Sequence, residues 1–166
     1  MNNPADPTTD QAPVGVLVSG YFSPLHVGHL DMIEAAAAEG DMLVVIVNNN
    51  DQQIAKKGKL IIDEQDRLRL VKALAVVDDA FIAVDNDRTV SESIRLAAQK
   101  YPDHRLIFAN GGDRKPEFVP ESAVCEELGV ELRFGVGGDK KADSSTRINM
   151  ELGIESEASA RPSTTS

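Results

Sequence analysis

Five short apolar runs punctuate this chain, at residues 14–18, 43–47, 80–84, 105–109 and 130–134, and helix-length segments separate them. The first two runs are continuous and rich in β-branched residues, the pattern of strands covered on both faces. Helical patterns fall at residues 25–39, 63–75, 90–101, 121–128 and 144–152. Gly40 and Gly129 stand where helix C-terminal glycines belong. Strands alternating with helices require crossover connections and a parallel sheet. The expected fold is α/β: a single doubly wound domain, five strands mainly parallel, helices on both faces. In such sheets ligands bind beyond the carboxyl ends of the strands, so functional residues are expected just after strands one, two, four and five.

The 166 residues suit one domain, expected at 13–152. Residues 1–12 and 153–166 mix Pro, Ser, Thr and acids without apolar periodicity and read as disordered tails. Lys and Arg number 17 against 27 Asp and Glu, a net charge of −10, and no Trp is present. That balance disfavours a nucleic-acid or anionic-membrane partner. One cysteine, Cys125, excludes a disulfide framework within the chain and a cysteine-based zinc cage. The run at 43–47 is far too short to span a membrane, and no basic-then-apolar leader opens the sequence. A cytoplasmic location is expected.

Chemistry concentrates after the first strand, in Ser19-Gly20-Tyr21-Phe22-Ser23-Pro24-Leu25-His26-Val27-Gly28-His29-Leu30. Two of the chain's three histidines stand here, three positions apart, which on a helix puts both imidazoles on one face. Pro24 suits a first helical turn, with Ser23 as its cap. A helix N-terminus supplies free N–H groups and partial positive charge, and two imidazole donors added there can stabilise charge on phosphate oxygens. The alternatives are two ordinary histidines of a βα unit, or a two-histidine metal site that lacks a nearby third ligand. His104, in a Tyr-Pro-Asp-His-Arg turn, reads as a solvated loop residue.

At these residues the chain resembles the nucleotidyltransferase superfamily marked by His-x-Gly-His, a Rossmann-like group. It includes cytidylyltransferases acting on glycerol 3-phosphate or choline phosphate. Its adenylyltransferases act on heptose phosphate, pantetheine phosphate, nicotinate mononucleotide or flavin mononucleotide. Further segments agree in order: Lys56, Lys57 and Lys59 after strand two, Asp63-Glu-Gln-Asp-Arg67 at a helix start, Asn110-Gly111-Gly112-Asp113-Arg114 after strand four, and Asp143-Ser144-Ser145-Thr146-Arg147-Ile148. The Gly-Gly-Asp resembles the heptose-phosphate adenylyltransferases. Two departures stand out: the family's Gly-Thr-Phe-Asp opening is Gly20-Tyr21-Phe22-Ser23 here, and Asp139, Lys140 and Lys141 replace an arginine.

The resemblance implies catalytic roles for His26, His29 and Lys57. It implies nucleotide contacts from Gly20, Tyr21, Phe22, Gly28, Asn110, Gly111, Gly112, Asp113, Ser144, Ser145, Thr146 and Arg147. Lys56, Lys59, Arg67 and Arg114 would meet substrate or phosphate, with Arg67 alternatively at an interface. No protein metal ligand is expected, and Mg²⁺ would be held mainly by nucleotide phosphates and water. Overall length and layout favour CMP transfer from CTP to a small phosphorylated alcohol such as glycerol 3-phosphate, releasing pyrophosphate. ATP-dependent adenylyl transfer to a sugar phosphate or cofactor precursor is the alternative, and a silent nucleotide-binding or scaffold protein is the reading from another class. A homodimer is the assembly the resemblance implies.

Overall fold

The computed structural model describes residues 12–111 and 119–137. The tails expected at 1–12 and 153–166 lie outside them apart from Ala12, as do the helix expected at 144–152 and the residues Gly112, Asp113, Arg114, Ser144, Ser145, Thr146 and Arg147.

The elements run β1 (Val14–Gly20), α1 (Val27–Ala37), β2 (Met42–Val47), α2 (Asn50–Lys57), α3 (Glu64–Lys72), β3 (Asp79–Ile82), α4 (Ser91–Lys100), β4 (Arg105–Gly111), α5 (Ser122–Leu128) and β5 (Glu131–Val136). The sheet order is β3-β2-β1-β4-β5 and every pairing is parallel. This is the doubly wound order, with the direction of winding reversing between β1 and β4.

The central strands show why both faces must be covered. Val16 and Val18 of β1 join Leu43, Val45 and Val47 of β2 on one face, packed with Ile33 and Ala36 of α1 and Val71 of α3. Leu17, Val44 and Ile46 point the other way, onto Ile94 and Ala97 of α4 and Val124 and Cys125 of α5. A period of two that is apolar at both phases is what a sheet sandwiched between helix layers needs. Burial pushes the Cys125 thiol up to about 11, so it behaves as a small core residue.

Four expectations are corrected. Strand three ends at Ile82, leaving Val84 half exposed. The first helix begins at Val27 with His26 as its cap, not at Leu25 with Ser23, which is fully buried. It also ends at Ala38 in a right-handed conformation, so Gly40 is no cap, whereas Gly129 caps α5 at φ 73°. The lysines after β2 do not occupy an open loop: Lys56 and Lys57 form the last turn of α2. A capping box between Asn49 and Gln52 starts that helix and Gly58, at φ 83°, stops it. Its buried side chains are Gln52, Gln53 and Lys57, so no apolar stripe announces it in the sequence. No helix of the described residues is long and apolar enough to cross a membrane.

Candidate active site

The loop leaving β1 turns sharply before α1. Phe22 takes φ 53°, the left-handed region that a bulky residue rarely adopts, and the Ser23–Pro24 peptide is cis. The chain then delivers His26 and His29 to the first turn of α1, with ring centroids 3.9 Å apart and planes at 30°.

Both imidazoles are tied to the backbone through Nδ1. His26 Nδ1 accepts from the Gly28 N–H at 3.0 Å, and His29 Nδ1 accepts from the His26 N–H at 3.2 Å. An Nδ1 that accepts must leave the proton of a neutral ring on Nε2. Each ring is therefore set as an Nε2–H donor. Burial, aided by the charge that His26 would carry, lowers the His29 pKa to about 4. At neutral pH His29 is an uncharged hydrogen-bond donor, in place before any anion arrives.

Around this pair the sheet gathers several other expected residues. Gly20 ends β1, and Asn110 and Gly111 end β4, the neighbouring strand. A Cβ on Gly111 would stand 2.8 Å from Met32 Cγ, so this strand end passes close against α1 one turn beyond His29. Lys56 Nζ lies 4.6 Å from the centre of the Tyr21 ring, a cation–π contact at the loop mouth. Burial raises the Tyr21 pKa, against the opposing charges of Arg88 and Arg67. Lys59 is exposed just beyond α2.

Three residues differ from expectation. Lys57 is 4% exposed on the inner face of α2 rather than on a swinging loop. Arg67, expected at substrate or at an interface, is fully buried. Its Nε donates to the Ile62 carbonyl at 2.7 Å, and one terminal nitrogen donates to the carbonyls of Asn48 at 2.6 Å and Tyr21 at 3.0 Å. The other terminal nitrogen donates to Asn50 Oδ1 at 3.1 Å. Desolvation lowers its pKa, offset by Glu64 and Asp63. A guanidinium so committed has little left for phosphate. His104 is only partly exposed, edge-on to Tyr101 at 5.6 Å, rather than a freely solvated loop residue; it precedes β4, at the opposite end of the sheet from the histidine pair.

The sequence reading missed Gln52 and Gln53, both buried. Gln52 Nε2 donates to the carbonyls of Asp87 and Thr89, each at 2.8 Å, pinning the segment after β3 to α2. Gln53 Oε1 accepts from Ser23 Oγ at 2.7 Å, pinning the first loop. The legible signal was the spacing Asn49-x-x-Gln52 ahead of Gly58, a capping box and a stop.

Comparison with known proteins bears on the family. A family model described as cytidylyltransferase-like matches residues 17–149. Bifunctional protein HldE of Desulfatibacillum aliphaticivorans is 33% identical over 139 residues, covering 82% of this chain and 26% of that protein. Its namesake in Methylobacillus flagellatus is 42% identical over 116 residues, covering 69% and 22%. The chain thus spans about a quarter of the length of these curated relatives. Among solved structures, a lipopolysaccharide core biosynthesis protein from Thermoplasma volcanium superposes with a TM-score of 0.58 at 27% identity, covering 79% of this chain and 99% of that one. From the first loop through the sheet, the chain belongs to the cytidylyltransferase-like family of nucleotidyltransferases.

Proposed function

We propose that this chain transfers the adenylyl group of ATP to the phosphate of a small sugar phosphate, releasing pyrophosphate. The observation that carries the phosphate chemistry is the His26–His29 pair, two Nε2–H donors fixed by backbone bonds at a helix start. The choice of ATP over the CTP favoured by length and layout rests on the relatives. They are bifunctional HldE proteins and a lipopolysaccharide core biosynthesis protein, and they favour the adenylyl alternative. The Gly111-Gly112-Asp113 sequence, with its resemblance to heptose-phosphate adenylyltransferases, points the same way.

An oxygen of the sugar phosphate attacks the α-phosphorus, and the bond from that phosphorus to the β-bridging oxygen breaks. The acceptor oxygen is already anionic near neutral pH, so no catalytic base is required. What the protein must supply is alignment and compensation of charge on the phosphates. His26 and His29 donate to phosphate oxygens, the α1 N-terminus adds partial positive charge, and Lys56 and Lys59 contribute point charges at the rim. Among the described residues no group of three His, Cys, Asp or Glu side chains is placed to hold a metal ion. Mg²⁺, bound through the nucleotide's phosphates and water, would supply positive charge against the triphosphate. A cytoplasmic homodimer completes the proposal on the strength of the resemblance, with half-exposed Val27 beside His26 as apolar surface near the motif. Light scattering that shows only monomer at high protein concentration removes the dimer.

The test is a pyrophosphate-release screen crossing ATP and CTP with sugar phosphates and glycerol 3-phosphate. The expected result is turnover with ATP and a sugar phosphate. Turnover with CTP and glycerol 3-phosphate restores the cytidylyl reading, and no release with any pair, despite nucleotide binding, favours the silent binding protein.

A further inference from the structure

The kink after β1 is a strained feature in search of its support. Phe22 at φ 53° is strained, and such residues persist only where the surroundings over-determine them. Here the surroundings are specific. The Phe22 ring is buried and occupies the space where a side chain at position 20 would stand: a Cβ on Gly20 would meet Phe22 Cζ at 2.7 Å. That same ring meets the His29 ring edge-on, with centroids 5.0 Å apart and planes at 71°. The residues on either side of Phe22 are gripped from below. The Tyr21 carbonyl accepts from Arg67 at 3.0 Å, and the Ser23 hydroxyl donates to Gln53 at 2.7 Å. Both grips share an anchor, because Arg67 Nε and Gln53 Nε2 donate to the same Ile62 carbonyl, at 2.7 and 3.2 Å. Gln53 Oε1 also accepts from the Ile61 N–H at 3.1 Å.

We propose that Arg67 and Gln53 are positioning residues for the histidine pair: together they hold residues 21–23 in the left-handed kink that sets the Phe22 ring against His29. Both are fully buried. They act through Phe22, and their burial is part of the function, since a carbonyl of the first loop needs a donor that water would otherwise replace loosely. A shift of Phe22 by a fraction of its ring width would turn the imidazole whose Nε2–H direction the reaction uses, and preorganised donors lose effect steeply with such misplacement.

The kinetic half of this inference rests on the nucleotidyl reading; the structural half does not. Histidine-labelled wild-type protein should show both imidazoles as Nε2–H tautomers in ¹⁵N spectra near neutral pH. In Gln53→Ala and Arg67→Lys, held well below their melting temperatures, we expect the His29 resonances to shift or broaden. The kcat for pyrophosphate release should fall at least tenfold, with the ATP Kd changed less than threefold. Lowered melting temperature with wild-type histidine spectra and wild-type kcat would overturn the proposal and leave the two residues as ordinary stabilisers. Should Arg67→Lys not fold, Ser23→Ala tests the other grip without stranding a charge. Its expected effect is a His29 shift and a kcat loss of about threefold, and unchanged spectra would overturn the proposal equally. If no nucleotide and acceptor pair turns over while the variant spectra still move, the adenylyl reading fails and the clamp stands.

Discussion

β1 and β2 are fixed by aliphatic side chains on both faces, whereas α2 and the loops around it are fixed by amides and a guanidinium. In the first region each contact is non-directional and exchangeable, and its stability follows the area buried. In the second, Gln52, Gln53 and Arg67 make directed bonds to carbonyls of four separate segments: the loops after β1, β2 and β3 and the link between α2 and α3. Apolar packing sets where the sheet is; the polar web sets where its loops point. The division predicts that the two regions fail differently when they are cut.

The largest stability effect should come from the apolar side. Phe108→Ala removes a ring that is 1% exposed and should cost ~3–5 kcal/mol in chemical denaturation. Its kcat measured well below the new midpoint should stay near wild type. A strong kcat loss in the folded variant would erase the distinction between the regions.

Gln53→Ala should be milder in stability and harsher in function. It removes the acceptor of the buried Ser23 hydroxyl, a loss of ~1–3 kcal/mol, while the part-buried Ile61 N–H can turn to water. Denaturation midpoints beside kcat for these two variants sharpen the comparison, which predicts opposite rankings.

Smaller still is Gly58→Ala, which forces a Cβ into φ 83° at the C-cap of α2. About 1 kcal/mol is expected, read as a lower midpoint together with faster hydrogen exchange in α2. Unchanged exchange there would mean that the web, not the cap, ends the helix.

Acid should reveal the histidine pair as a modest slope. The His29 pKa falls from 6.5 unfolded to about 4 folded. Between those values the unfolded chain binds a proton that the native protein refuses, so its contribution is complete above about 6.5 and is lost as pH falls toward about 4. His29→Asn should flatten that part of the stability-versus-pH curve. An unaltered slope would mean that burial does not hold the ring neutral.

The apolar half of the molecule was legible in the sequence because its signal is periodic. Runs such as residues 43–47 alternate faces in a sheet covered twice, and no other fold uses them so well. In the first loop the sequence showed two histidines three apart after a strand, and the structure brings their rings together. The loop's geometry was not legible: Ser23 reads as a helix cap by residue type, yet it is drawn inward by Gln53, thirty positions away, and His26 takes the cap itself. Helix α2 escaped because Ile54 is its one large apolar residue and stands exposed. Arg67 was legible as important and illegible as to role, because a buried arginine and a phosphate-binding one have the same letter. The second phosphate segment expected at Ser144, Ser145, Thr146 and Arg147 lies outside the described residues.

The central claim is that His26 and His29 form a preorganised phosphate site that accelerates nucleotidyl transfer. Pyrophosphate release from ATP and the preferred sugar phosphate, compared among wild type, His26→Ala and His29→Ala with circular dichroism on each, tests it most directly. The account predicts folded variants with kcat lowered by ~10²–10³, the scale of losing one preorganised donor. Wild-type kcat in both folded variants would contradict it.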